Sequence, residues 1–248
     1  MLKLNRAASF TCSQQLGHRL STSAPSLIIF CKSKMFHSVI RQSPRATLFA
    51  AQRTFASSQF AMAQSALYKA IQHDHVELAD YYNNYKKMTS AFQPDEAQKW
   101  ANQFIWELAR HAIGEELVVY PAFEKHLGAE GKEMADRDRQ QHLDIKQELY
   151  DLQNMSTDSP AFEDKFTTLW GKLELHVKEE EMDDLPKLDA AISAEDAESY
   201  ATSFQRTKHF VPTRSHPSAP DKPPFETIAG LLAAPLDKLG DLFRSFPK

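Results

Sequence analysis

A chain of 248 residues holds one or two domains, and its 42% apolar, 25% charged composition is that of an ordinary globular protein. The formal net charge of −4 hides an asymmetry: residues 1–73 carry nine basic residues and no Asp or Glu, whereas residues 74–204 hold 29 of the 33 acids and a net charge of −16. So acidic a body argues against nucleic acid as the main partner, and no apolar run reaches the roughly 18 residues of a transmembrane segment.

The first element is a leader. Residues 1–60 are basic, rich in Ser and Thr and free of acids, the composition of a mostly disordered mitochondrial transit peptide. Arg53-Thr54-Phe55-Ala56-Ser57 resembles a matrix processing site cleaved after Phe55, and Met35 offers an internal start. The expected location is the mitochondrion, and within it the matrix. Cys12 and Cys31 both fall in this leader, so a processed protein has no thiol for disulfides, catalysis or metal ligation. A metal in the body would be held by His and carboxylate, which suits non-haem iron, manganese or zinc.

The body, residues 65–190, reads as all-α, because apolar residues recur at three and four and glycine is scarce. The first helix is expected over Ser65–Met88. Pro94 suits the first turn of a second helix running to about Tyr120. Gly128 and Gly131 punctuate the next connection, and a third helix follows over Lys132–Met155. Ser159-Pro160 opens a fourth, running to about Asp184. Four helices of similar length with short connections predict an up-down-up-down four-helix bundle. In the extension, residues 191–248, Ser193 with Asp196 resembles a capping box for a short fifth helix ending near Thr207. The Pro-rich stretch from His209 to Pro224 is expected to be extended. Phe225–Phe243 is an amphipathic helix broken at Pro235. It is expected to pack on the bundle as a tail, with weak contact to a membrane surface or a partner as the sharper alternative.

One motif occurs twice, 65 residues apart: His-x3-Glu-x5-Pro, as His111, Glu115, Pro121 and as His176, Glu180, Pro186. A His and a Glu four apart on a helix point the same way and can share a metal ion. The proline is expected to end or kink each helix just beyond the pair. Two copies suggest two halves of one site. The apolar stripe of the second helix runs Phe104, Leu108, His111, Glu115, Val118, and that of the fourth Phe166, Leu169, Leu173, His176, Glu180. Both pairs thus face inward, where uncompensated carboxylates would be costly and a bound cation resolves the cost.

The first and third helices each add one inward His: His75 between Ile71 and Leu78, and His142 before Ile145 and Leu149. The candidate ligand set is His75, His111, Glu115, His142, His176 and Glu180, enough for two metal ions if a carboxylate or a solvent oxygen bridges them. His73, His126, His209 and His216 are expected to face solvent. Glu116, Glu179 and Glu181 flank the ligand glutamates as exposed charges or outer partners, with Glu181 as a substitute for Glu180. Tyr82 and Tyr120 are candidates to lie near the open positions.

With Asp74-His75, His111-x3-Glu115 before Tyr120-Pro121, His142 with Ile145 and Leu149, and His176-x3-Glu180 before Leu185-Pro186, residues 65–190 resemble a hemerythrin-like, HHE cation-binding domain. The resemblance implies a non-haem di-iron centre that meets dioxygen, nitric oxide or peroxide, or responds to iron. Oxygen-carrying members have a second His where this chain has Lys146, and an Asp ligand at the position of Glu181. More carboxylate and less imidazole argue against reversible oxygen carriage. The expectation is therefore a mitochondrial protein that binds or senses iron, dioxygen or nitric oxide. The alternative is a di-iron oxidoreductase acting on peroxide or nitric oxide, or an iron donor for repair of iron centres. No cysteine pair, flavin motif or nucleotide loop is present to deliver electrons. A metal-free helical adaptor is the third reading, and it requires six inward polar groups to pair among themselves.

Overall fold

The computed structural model describes residues 64–219 and 225–248. The leader falls outside the described residues. Ser65 caps the first helix, α1 (Ala66–Ser90), its hydroxyl accepting from the Tyr68 amide at 3.1 Å. Pro94 opens α2 (Pro94–Gly114) in the first turn, where its missing N–H costs nothing. Then come α3 (Tyr120–Gln153), α4 (Phe162–Glu179), α5 (Leu185–Ala191) and α6 (Ala194–Thr207), and α7 (Phe225–Asp241) closes the chain. No strand occurs among the described residues. The all-α bundle expected from the periodicity is the fold observed.

The expected ends of two bundle helices need correction. Neither Pro121 nor Pro186 stops its helix. Each is preceded by a π-helical turn, Glu115–Val119 and Glu180–Asp184, in which the Tyr120 and Leu185 amides reach back five residues to the Glu115 and Glu180 carbonyls. The wider turn takes up the residue whose α-helical hydrogen bond proline cannot make. The second bundle helix therefore runs through α2, its π turn and the start of α3, and bends at Gly128, whose φ of 62° favours glycine. The third is α3 beyond Gly128. The fourth is α4, its π turn and α5, so it passes Asp184 and ends at Ala191. It also starts later than Ser159, at Phe162, because Ser159 is held in a turn by Ser156.

The core lies in two apolar clusters. One gathers Leu78, Phe104, Leu108, Ile145, Leu149, Phe166 and Leu173. The other gathers Leu67, Ile71, Val119, Tyr120, Phe123, Met134, Leu185, Leu188 and Phe204. Along each bundle helix the apolar stripe crosses from one cluster to the other, and a histidine marks the crossing. The bundle is thus an apolar core interrupted by a polar layer at one level of all four helices.

The extension folds back on this bundle. Ser193 caps α6 as expected, its hydroxyl accepting from the Asp196 amide at 3.0 Å. Val211, Thr213, Arg214 and Ser215 of the stretch beyond α6 are buried. The helix α7 runs through Pro235 and is not broken there. Its described later half docks through two carboxylates and Ala234: Asp237 accepts from the Thr213 and Arg214 amides, Asp241 pairs with Arg214 at 2.8 Å, and Ala234 is buried. Leu232, Leu236, Leu239, Leu242 and Phe243 are exposed. No helix of the described residues is long and apolar enough to cross a membrane.

Candidate metal centre

All six candidate ligands converge in the polar layer, and each is at least 95% buried. Their pairing differs from the one the repeated motif suggests. His75 stands against His111, ring centroids 4.9 Å apart, and His142 against His176, 4.6 Å apart. The half-sites therefore join the first helix to the second and the third to the fourth. The two carboxylates lie between them. Glu115 Oε1 is 3.2 Å from His111 Nε2 and 3.8 Å from His75 Nε2, while its Oε2 is 3.4 Å from His142 Nε2. Glu180 Oε2 is 3.5 Å from His75 Nε2 and 4.0 Å from His176 Nε2. Two groups emerge whose donor atoms lie within 4.8 Å of one another, His75–His111–Glu115 and Glu115–His142–His176, sharing Glu115.

The outer nitrogens follow a rule. His111 Nδ1 lies 3.3 Å from Asp74, His142 Nδ1 3.1 Å from Glu116, His176 Nδ1 2.8 Å from Gln141 and His75 Nδ1 2.9 Å from Glu181. Each acceptor is the chain neighbour of a ligand on another helix. Asp74 of the first helix serves the second, Glu116 of the second serves the third, Gln141 of the third serves the fourth, and Glu181 of the fourth serves the first. The ring closes. Neighbours on a helix diverge by about 100°, so a ligand aimed at the bundle axis leaves the adjacent residue aimed at the next helix. Each imidazole so held carries its proton on Nδ1 and presents a bare Nε2 to the centre.

Those inward atoms have nothing to bond. His75 Nε2, His111 Nε2 and both oxygens of Glu115 and Glu180 are buried without a hydrogen-bond partner. His142 Nε2 and His176 Nε2 face each other at 3.0 Å, and with both Nδ1 atoms protonated two lone pairs meet there. Burial holds the His75 imidazole down to about 4 and lowers those of His111, His142 and His176. Burial, with the opposing negative charge of the other acids, pushes Glu115 and Glu180 well above the usual carboxylate range. Neutral imidazoles around two crowded carboxylates are a donor set that lacks a cation. Four nitrogens and two carboxylates fit iron, manganese or zinc.

Several expectations change. Glu181 is not a substitute for Glu180; it orients His75. Of the two alternatives for Glu116, exposed charge or outer partner, the structure shows the second: it is fully buried and meets His142. Lys146, at the position of the extra His in oxygen carriers, pairs with Glu116 and joins the outer ring. Tyr120 is at the centre, its hydroxyl 2.9 Å from His142 Nε2. Tyr82 is not: it stacks on Trp170 within the first apolar cluster. His73 is exposed, as expected. His126 and His216 are not free in solvent; they bond Tyr200 at 2.8 Å and Asp237 at 3.0 Å. Sequence reasoning assigned no role to Gln141 and quoted Asp74 only as part of the motif. The signal that could have found them is adjacency to a ligand. Nor did it foresee Lys208, which reaches from beyond α6 to pair with Asp74 and Glu107.

Comparison with known proteins follows the same lines. The sequence signature of the hemerythrin HHE cation binding domain matches residues 66–188. An uncharacterized hemerythrin-like protein of Schizosaccharomyces pombe is 52% identical over 178 residues, 72% of this chain and 86% of that protein. A DNA nickase of Nostoc sp. is 27% identical over 130 residues, 52% of this chain but 36% of its own length. No solved structure matches.

Proposed function

The chain belongs to the hemerythrin HHE cation-binding family, and from that premise we propose a mitochondrial protein whose non-haem di-iron centre binds or senses iron, dioxygen or nitric oxide. His75 and His111 would hold one metal ion, His142 and His176 the other, with Glu115 and Glu180 bridging. The observation that carries this reading is the set of inward donor atoms left without partners. Two iron ions would supply open positions for a small ligand and one-electron redox chemistry. The chain's own part is to fix the imidazole tautomers through the outer ring and to exclude water with the two apolar clusters. Metal analysis of anaerobically purified protein tests the reading: about two irons per chain are expected, and a chain that folds equally well without binding iron would support the adaptor instead.

One observation favours the oxidoreductase alternative. With Nδ1 of His142 donating to Glu116, its Nε2 is bare, and the Tyr120 hydroxyl donates to it. Were His142 to hold a metal ion through Nε2, the Tyr120 hydroxyl would stand beside the site as a hydrogen-bond or proton donor. Optical spectra with dioxygen, nitric oxide and peroxide separate the readings. Saturable, reversible bands favour binding. Sustained peroxide or nitric oxide consumption that falls in Tyr120→Phe favours turnover.

The mitochondrial part of the proposal rests on the leader. Import of the full chain into isolated mitochondria, with a mature product beginning at Ala56, is the expected result. The exposed apolar residues of α7 support weak contact with a membrane surface or a partner. Co-sedimentation with anionic vesicles, lost in Leu236→Glu, checks the membrane case.

A further inference from the structure

A second acidic layer lies one helical turn from the candidate centre. Asp138 precedes His142 by four residues on the third bundle helix. Asp184 follows Glu180 by four on the fourth. These helices run antiparallel, so one turn back along the first and one turn on along the second reach the same level of the bundle. That level lies between the polar layer and the second apolar cluster, because Met134 and Ala135 on one helix and Leu185 on the other come next. Asp138 is 1% exposed and Asp184 fully buried.

A single cation holds the pair. Arg137 donates to both oxygens of Asp184 at 2.7 Å and to Asp138 Oδ1 at 3.2 Å. Its side chain is 43% exposed and lines a surface groove beside Glu179 and Asp183. The other oxygen of Asp138, Oδ2, is buried and has no partner. One guanidinium at the surface thus covers two buried carboxylates, one of which keeps a bare oxygen. A structural ion pair alone would not need the second carboxylate, nor leave its oxygen unsatisfied.

We propose that Asp138 and Asp184 form a transit site through which a divalent cation reaches the centre, with Arg137 as its gate. The proposal rests on the centre being a metal centre. An incoming cation displaces the half-exposed guanidinium, is held briefly by the carboxylates of Asp138 and Asp184, and passes to Glu180. Arg137 then returns and closes the path. No covalent step or redox change is involved.

The test follows loading of the chelated full-length chain with Co(II) alone, by the rise of its visible absorption. In Asp138→Asn, loading should slow by about tenfold, the low end of electrostatic steering effects, while the final cobalt content equals wild type. In Arg137→Gln, with retention of the fold checked by circular dichroism, both loading and release to a chelator should quicken. Wild-type rates in both variants would overturn the proposal. So would a lowered final cobalt content in Asp138→Asn, which would make Asp138 part of the centre itself. Failure of wild type to take up cobalt would instead remove the metal centre, and the transit site with it.

Discussion

The bare atoms of the centre set the terms for single residues. Burial first, and then the negative charge of neighbouring acids, raise Glu115 and Glu180 above the ordinary carboxylate value of 4.5. A group whose pKa rises on folding lends stability that is complete below its unfolded value and is lost as pH climbs through the folded one. The metal-free protein should therefore weaken from mildly acid to alkaline pH, and bound metal should remove that dependence. His75 acts at the other edge: lowered from 6.5 to about 4, it destabilises the metal-free fold as pH falls through that interval. Glu115→Gln cannot ionise. Stripped of metal at pH 8, it should melt above the stripped wild type by about 3–10 °C, with the gap closing toward pH 4.5. Loaded with metal, the order should reverse, because the shared bridge is gone. A stripped variant that melts below wild type at pH 8 would show that these carboxylates are not crowded. The outer ring is tested separately at Gln141, which is uncharged. Gln141→Leu removes the acceptor of His176 Nδ1 and should weaken metal binding by about 10–100-fold in a competition titration. Gln141→Glu restores an acceptor and should recover most of the loss.

Between elements, the decisive contact is that of α6 with the second bundle helix. Gly114 lies between His111 and Glu115, and a Cβ there would meet the Phe204 ring at 2.8 Å. Phe204 is itself fully buried and stands perpendicular to the His111 ring, centroids 6.0 Å apart. Gly114→Ala should cost about 1–3 kcal/mol by overpacking, read as a lower melting temperature. Phe204→Leu in the same chain should recover part of it, and a second variant no better than the first would deny the contact. Close approach of this kind was invisible in the sequence, where Gly114 is one glycine in an apolar stripe. The stripes themselves were legible, because an apolar residue every three or four positions leaves no other helix face to bury. They placed all six ligands in the layer. The outer ring was less so, since whether Asp74 or Gln141 meets a histidine depends on which helix stands beside it. The π turns were misread for a physical reason. Proline forbids the α-helical hydrogen bond at its position, and a widened turn satisfies that restriction as well as a helix end does.

At the scale of the molecule, the extension is wired into the centre it covers. The family segment ends at residue 188, yet Lys208 pairs with Asp74, which orients His111, and with Glu107. Arg110 pairs with Glu107, donates to the Lys208 carbonyl at 3.3 Å and stacks on Trp106. On the other side, Ser215 donates to the Lys146 carbonyl at 2.6 Å, beside the lysine that serves Glu116. One of the four outer acceptors is therefore paired with a residue from beyond α6, and a second is served by a lysine whose backbone the extension holds. Asp74 is held down to about 2, chiefly by His111 and Lys208 against the opposing effect of burial. Its contribution to stability is present above the ordinary value of 3.8 and is lost as pH falls toward 2. Removing Lys208 alone leaves Asp74 and Glu107 buried with one cation fewer, a loss of about 3–5 kcal/mol by the measure of broken buried pairs. Lys208→Met should thus lower the melting temperature at neutral pH and also weaken metal binding, because His111 loses a settled acceptor. Adding Glu107→Gln removes one of the stranded charges and should restore stability more than it restores affinity. A chain ending at residue 192 should suffer both losses at once. If that truncated chain melted and bound metal as the full one does, the extension would be a passenger on the bundle; the Lys208 network requires that it does neither.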